Sequence, residues 1–186
     1  MPLDISPALS ILRDTFGYPN FRPAQEDVIN AIQAGDDVLA VMPTGSGKSL
    51  CYQIPALLRD GLTLVVSPLV ALMEDQVAAL KLNDVAAETL NSSRDRDANV
   101  AIWKRVVVGE IQILYIAPER LMTARMIAAL QKLSVGQITI DEAHCISRWG
   151  PSFRPDYEDL TRLSGLFPAA AISAFTATAD AATRTD

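Results

Sequence analysis

The run Val38-Leu39-Ala40-Val41-Met42, followed at once by Thr44-Gly45-Ser46-Gly47-Lys48-Ser49, constrains this chain more than any other stretch. An unbroken apolar run reads as a buried strand, and Gly-Lys-Ser directly after it reads as a phosphate-binding loop that opens a helix. The glycines let the backbone approach phosphate oxygens, while the N–H groups and the helix N-terminus form an anion cradle. Lys48 adds a point charge, and the Ser49 hydroxyl suits Mg²⁺. Thr44, Gly45, Ser46, Gly47, Lys48 and Ser49 are therefore expected to hold a nucleotide. A plain Gly/Ser turn would not need the strand before it. The strict pattern has glycine five positions before Gly47, and Met42 stands there instead, so the first turn is not of the commonest type.

Period and punctuation extend the pattern on both sides. Ser6 is placed to cap a helix running to about Phe16, and Pro23 suits the first turn of a helix whose stripe is Val28, Ile29 and Ile32. After the phosphate loop, a helix runs to about Leu58 with an expected kink at Pro55. A strand at 62–66 precedes a helix starting at Pro68, with Leu69, Leu72, Val77 and Leu80 on one face. Further strands are expected near 87–90, 111–116, 137–140 and 170–175, separated by helices near 94–108, 126–133 and 157–166. Trp103 falls in a stripe with Val100 and Val107, which reads as core packing. Such alternation predicts an α/β fold with a mostly parallel sheet covered on both faces, with ligands beyond the carboxyl ends of the strands. One domain over 1–186 is the simplest division, with no repeat and no linker.

Composition narrows the setting. The chain has 186 residues, 49% hydrophobic and 20% charged, and no apolar stretch approaches the length of a membrane span. Nothing at the N-terminus resembles an export signal. Cys51 and Cys145 are the only cysteines, too few for a disulfide framework or a zinc finger. A net charge of −6 taken alone argues against a nucleic-acid partner. A few placed hydroxyls, amides and arginines can nonetheless grip a phosphate backbone.

A phosphate loop needs an acid, and Asp141-Glu142 follows the strand-like Ile138-Thr139-Ile140. Asp141 is expected to hold Mg²⁺ with Ser49, and Glu142 to orient the attacking water and take its proton. Two adjacent acids favour hydrolysis over transfer to a small acceptor.

Asp141-Glu142-Ala143-His144 is the DEAH form of that acidic motif, and the chain resembles a superfamily 2 helicase there. The continuation through Arg148, Trp149, Gly150, Phe153, Arg154 and Tyr157 is similar to the aromatic-rich loop of the RecQ DNA helicases. Phe21-Arg22-Pro23-Ala24-Gln25, the block Ser67–Val77, Tyr115–Leu121 and Ala174–Ala179 are similar to further motifs of that family, in order. The resemblance implies the first RecA-like motor lobe of a helicase, with ATP and Mg²⁺ as cofactors. It also implies single-stranded DNA and duplex junctions as partners, 3′ to 5′ unwinding, and work in DNA repair and recombination.

The same resemblance implies roles for single residues. Tyr18 and Arg22 would stack on adenine, and Gln25 would select it with a paired donor and acceptor. Lys48, Asp141, Glu142 and His144 would form the catalytic group, with His144 reporting the γ-phosphate to the next loop. Ser67, Pro68, Arg148, Trp149, Phe153, Arg154, Thr176 and Thr178 would contact DNA or couple it to the nucleotide. Arg148, Pro151 and Ala24 depart from the residues common in the family, which puts the strength of coupling in question.

Other classes fit less well. A GTPase lacks its Asn-Lys-x-Asp segment here, a transporter ATPase lacks its signature loop before the acidic strand, and the aromatic loop favours DNA over RNA. The rival reading is an isolated nucleotide- and DNA-binding lobe with negligible catalysis, because a second lobe with its arginine finger and zinc-binding and winged-helix domains are not in this sequence. No membrane partner is expected, and a monomer is. The setting would be cytoplasmic and nucleoid-associated in a bacterium, nuclear in a eukaryote.

Overall fold

Apolar, β-branched runs become parallel strands. The computed structural model describes residues 4–91, 93–146 and 155–177. Within them β1 (Val38–Val41), β2 (Leu62–Val66), β3 (Ala87–Leu90), β4 (Ile113–Ile116), β5 (Val135–Ile140) and β6 (Ala171–Thr176) form a parallel sheet in the order β1-β6-β5-β2-β4-β3. Every residue of β2, β3 and β4 is buried, as a sheet covered on both faces demands. β1 corrects the expectation of a buried strand: it pairs only with β6 among the described residues, and Leu39 and Val41 are 52% and 42% exposed. An edge strand carries the same apolar run without the cover.

One face of the sheet packs Leu64, Leu114, Ile138 and Ile140 against Leu121, Tyr157, Leu160 and Leu163. The other packs Val65, Ile113, Tyr115 and Phe175 against Tyr52, Met73, Val77 and Leu80 from the helices α3 (Lys48–Leu58) and α4 (Val70–Leu82). Tyr52 and Phe175 meet edge to face with centroids 5.3 Å apart. Met42 explains its own presence in the phosphate-loop pattern: its side chain is buried in this second cluster, and its N–H extends the ladder to the Thr176 carbonyl at 2.9 Å.

Helix boundaries moved where local hydrogen bonding outcompeted the pattern. Ser6 is the first residue of α1 (Ser6–Asp14) rather than its cap, and Asp4 Oδ1 accepts the Ser6 N–H at 2.9 Å. Pro23 lies outside α2 (Gln25–Ala34), because the chain first turns through Arg22–Gln25 with Ala24 at φ 67°. α3 runs unbroken past Pro55. In α5 (Arg96–Val107), capped by Asp95 on the Ala98 N–H, the buried face is Asn99, Ile102 and Val106. Val100 and Val107 are exposed, so the expected stripe is wrong by one position, and Trp103 is only half-buried at the rim.

The segment between β4 and β5 holds two short helices, α6 (Pro118–Leu121) and α7 (Ala124–Leu130), where one was expected. The helix expected at 157–166 is instead α8 (Pro155–Glu158), a 3₁₀ turn at Asp159–Arg162 and α9 (Leu163–Leu166). Its buried residues Tyr157, Leu160 and Leu163 recur every three positions, the spacing that eclipses side chains in a 3₁₀ turn.

Glu88 lies buried on the edge strand β3. Lys81 Nζ at 2.8 Å and Arg105 Nη1 at 2.6 Å meet its Oε1. Burial pushes its carboxyl up, and the hydrogen bonds and charges of Lys81 and Arg105 outweigh that, leaving it below the usual range. A depressed carboxylate stabilises the fold above its unfolded pKa, and the contribution disappears as pH falls through the folded value. Urea unfolding of wild type and Glu88→Gln should therefore differ at pH 7 and converge on acidification; a difference that persists in acid would contradict this.

Candidate active site

The parallel order puts the ends of β1, β6 and β5 side by side, and a cleft of about 370 Å³ opens there. Tyr18, Arg22, Gln25, Thr44, Gly45, Gly47, Lys48, Ser49, Asp141 and Glu142 line it. The expected nucleotide residues, from three separate parts of the sequence, thus face one cavity. Ser46 does not line it; its carbonyl accepts from Gln25 Nε2 at 3.2 Å.

The phosphate loop is built from two left-handed glycines, Gly45 at φ 79° and Gly47 at φ 82°, leading into the N-terminus of α3 at Lys48. A Cβ at Gly47 would run into the Gln25 side-chain amide. Gly47→Ala should accordingly cost about 1–2 kcal/mol from the left-handed backbone alone, and more from Gln25. Chemical denaturation tests this, and an unchanged midpoint would contradict it.

Gln25 is almost fully buried and its amide is spent on the protein itself. Oε1 accepts the Arg22 N–H at 2.7 Å, and Nε2 donates to the carbonyls of Ser46 and Gly47 at 3.2 and 3.1 Å. The Arg22 guanidinium donates through Nη1 to the Gly45 carbonyl. Two of the three residues expected at adenine therefore also brace the phosphate loop, and the third, Tyr18, is half-exposed beside them.

On the opposite wall, Asp141 directly follows β5. Burial chiefly, then the neighbouring charge of Glu142, pushes its carboxyl up, against the Glu142 N–H, Lys48 and His144. Its Oδ1 accepts the Glu142 N–H at 3.0 Å, and its carbonyl accepts the Tyr157 hydroxyl at 3.1 Å. Glu142 sits at φ 53°, a left-handed conformation for a non-glycine residue, which costs of order 1–3 kcal/mol and tends to mark working sites. His144, in the 3₁₀ turn Ala143–Ile146, lies with Nδ1 3.3 Å from Glu142 Oε2 and 3.0 Å from Thr176 Oγ1 at the end of β6. A contact path thus runs from the acid pair to the next strand end.

Ser67 is buried at the end of β2, its hydroxyl oxygen has no hydrogen-bond partner among the described residues, and Pro68 follows it. Arg148, Trp149, Phe153, Arg154 and Thr178 lie outside the described residues. Sequence reasoning did not single out Asn20 or Gln76, which also line the cleft, nor the support given by Tyr157. Gln76 Oε1 accepts from buried Gln53, which also donates to the Tyr115 hydroxyl. A polar Gln53 inside the apolar face of α3 was the available signal.

A parallel sheet with a phosphate loop after β1 and paired acids after the central strand β5, one strand removed from it, is a RecA-like P-loop lobe, able to hold a nucleoside triphosphate and its cation. The DEAD/DEAH box helicase family matches residues 22–185, and the chain belongs to that family. It is 51% identical over 179 residues to the ATP-dependent DNA helicase RecQ of Haemophilus influenzae, covering 96% of this chain and 29% of that protein. Against the ATP-dependent DNA helicase Q1 of Rattus norvegicus it is 42% identical over 176 residues, 91% of this chain and 28% of the relative. The chain spans less than a third of either relative.

Solved structures share the fold. The helicase MrfA superposes with a TM-score of 0.75 at 21% identity, over 98% of this chain and 31% of that one. Mycobacterium smegmatis helicase Lhr, bound to ssDNA and AMP-PNP, gives 0.70 at 24% identity, over 94% and 25%.

Proposed function

We propose that this chain is the first motor lobe of a RecQ-like DNA helicase, which binds Mg·ATP in the cleft and couples its hydrolysis to separation of DNA strands during repair and recombination. The carrying observation is the convergence of Lys48, Ser49, Asp141 and Glu142 on one cavity beside Gln25. Lys48 and the loop N–H groups hold the β- and γ-phosphates. Glu142 orients water and accepts its proton. Gln25 and Tyr18 receive the adenine, the Gln25 amide exchanging a loop carbonyl for a base edge.

The hard oxygen donors Ser49 and Asp141 fit Mg²⁺, and the pressure of burial on the Asp141 carboxyl is what a bound dication would relieve. When bound, the cation neutralises phosphate charge. DNA contacts fall to Arg148, Trp149, Phe153 and Arg154 and to half-buried Pro68, with buried Ser67 setting the position of Pro68, and the His144–Thr176 contact carries the nucleotide state toward them. No helix among the described residues is long and apolar enough to cross a membrane, and the reading places the protein with the DNA.

An arginine finger from a second lobe supplies about 10³ or more in rate, so this chain by itself should bind ATP weakly and turn it over very slowly. Calorimetric titration with ATP in Mg²⁺, and with GTP as control, tests the reading. Saturable, Mg²⁺-dependent binding that favours ATP is expected, and equal affinity for GTP would contradict it. Thr176→Val removes the hydroxyl beside His144. In the longer polypeptide it should lower DNA stimulation of hydrolysis by about tenfold, the worth of one buried hydrogen bond, while ATP affinity holds. A loss of ATP affinity instead would assign Thr176 to the nucleotide site rather than to coupling.

A further inference from the structure

A second depression, of about 490 Å³, lies beyond the ends of β3 and β4, at the edge of the sheet remote from β1. It is lined by Arg94, Arg96, Arg120 and Arg125 and by no carboxylate among the described residues, in a chain whose net charge is −6. Two of these arginines are committed: Arg94 faces Glu88 at 3.6 Å, and Arg120 donates to the Asn91 carbonyl at 3.2 Å. Arg96 opens α5 and Arg125 lies in the first turn of α7, both exposed, and no hydrogen bond or ion pair among the described residues engages either guanidinium.

Half-buried Trp103 forms an apolar part of the same wall. Asn99 lies on the same wall, 8% exposed. Its Nδ2 donates to the carbonyls of Asn91, Arg94 and Asp95, which fixes the orientation of the amide, and its Oδ1 has no partner among the described residues. A buried acceptor without a donor is costly, and a ligand carrying an N–H group can satisfy it.

Free guanidinium groups, an indole face and an orphan amide oxygen match the three parts of a nucleotide: phosphate, base plane and base edge. We propose that this pocket is a further nucleic-acid subsite that holds one unpaired nucleotide of the bound DNA strand, with its flanking phosphates on Arg96 and Arg125 and its base against Trp103. It opens at the same carboxyl-terminal end of the sheet as the ATP cleft, so one strand crossing that end can reach it. The inference rests on the DNA-binding reading above.

Photo-crosslinking of this chain to a single-stranded oligonucleotide bearing 5-iododeoxyuridine, with peptide mapping, tests it directly. A crosslink at Trp103 is expected. Arg96→Ala combined with Arg125→Ala should flatten the dependence of log affinity on log salt by about 1.4, since each phosphate contact on single strands contributes about 0.7. Trp103→Ala should weaken binding by about tenfold with that slope unchanged, the scale of one lost stacking contact.

An oligonucleotide that binds, seen by anisotropy, yet never crosslinks to Trp103 overturns the subsite and leaves the DNA reading standing. Failure to bind DNA at all overturns both. Displacement of the Trp103 crosslink by an acidic peptide or by free thymidine monophosphate as readily as by unlabelled oligonucleotide also overturns it, assigning the pocket to that ligand.

Discussion

Glu142→Gln in a polypeptide that joins this chain to a second motor lobe is expected to lower DNA-stimulated ATP hydrolysis by about a hundredfold or more, the usual worth of a positioned general base, with ATP affinity close to wild type. The substitution keeps the shape of the side chain and removes its capacity to accept a proton. Three features fix the position of Glu142. Its backbone is left-handed, its N–H is fixed by Asp141 Oδ1, and its carboxylate lies 3.3 Å from His144 Nδ1. Steady-state turnover with single-stranded DNA, beside equilibrium binding of an ATP analogue, separates the two effects. Retained turnover would remove Glu142 from the role of base. Lost affinity would make it a binding residue.

Lys48→Ala is expected to weaken ATP binding by about a hundredfold and to reduce hydrolysis correspondingly. Lys48 opens α3 directly after the left-handed Gly47, so its ammonium faces the cleft together with the helix N-terminus. Charge-assisted hydrogen bonds are worth about 1.5–3 kcal/mol each, and a lysine that reaches two phosphates makes more than one of them. Urea unfolding should show a stability near that of wild type, because Lys48 makes none of the described ion pairs. Wild-type affinity for Mg·ATP in this variant would contradict the assignment of the cradle.

The class of fold was legible because strand and helix periods differ, and because a phosphate loop after a strand has few structural contexts. The boundaries that shifted did so through interactions with no sequence period. Asp4, two residues upstream, accepts the Ser6 N–H in place of a cap by Ser6. The turn through Ala24 delays α2 so that Gln25 can reach both Arg22 and the phosphate loop. Edge position, which no run of apolar residues encodes, exposes Leu39 and Val41.

Within the site, the residues that touch one cavity were readable from their motifs. Their partners inside the protein were not: that the Gln25 amide and the Arg22 guanidinium brace the loop, or that Tyr157 holds the Asp141 carbonyl, depends on contacts between segments far apart in the chain. The pocket around Trp103 was hidden for the same reason. Its arginines come from three helices and a loop, and along the sequence they read only as solvated charge.

The decisive measurement for a DNA-driven ATPase is the rate of ATP hydrolysis, with and without single-stranded DNA, by a polypeptide that joins this chain to a second motor lobe. Slow turnover alone and a rise of at least about tenfold when DNA saturates the protein are expected, consistent with completion of a site that positions water and stabilises charge. Turnover that is the same with and without DNA would contradict the DNA-driven reading.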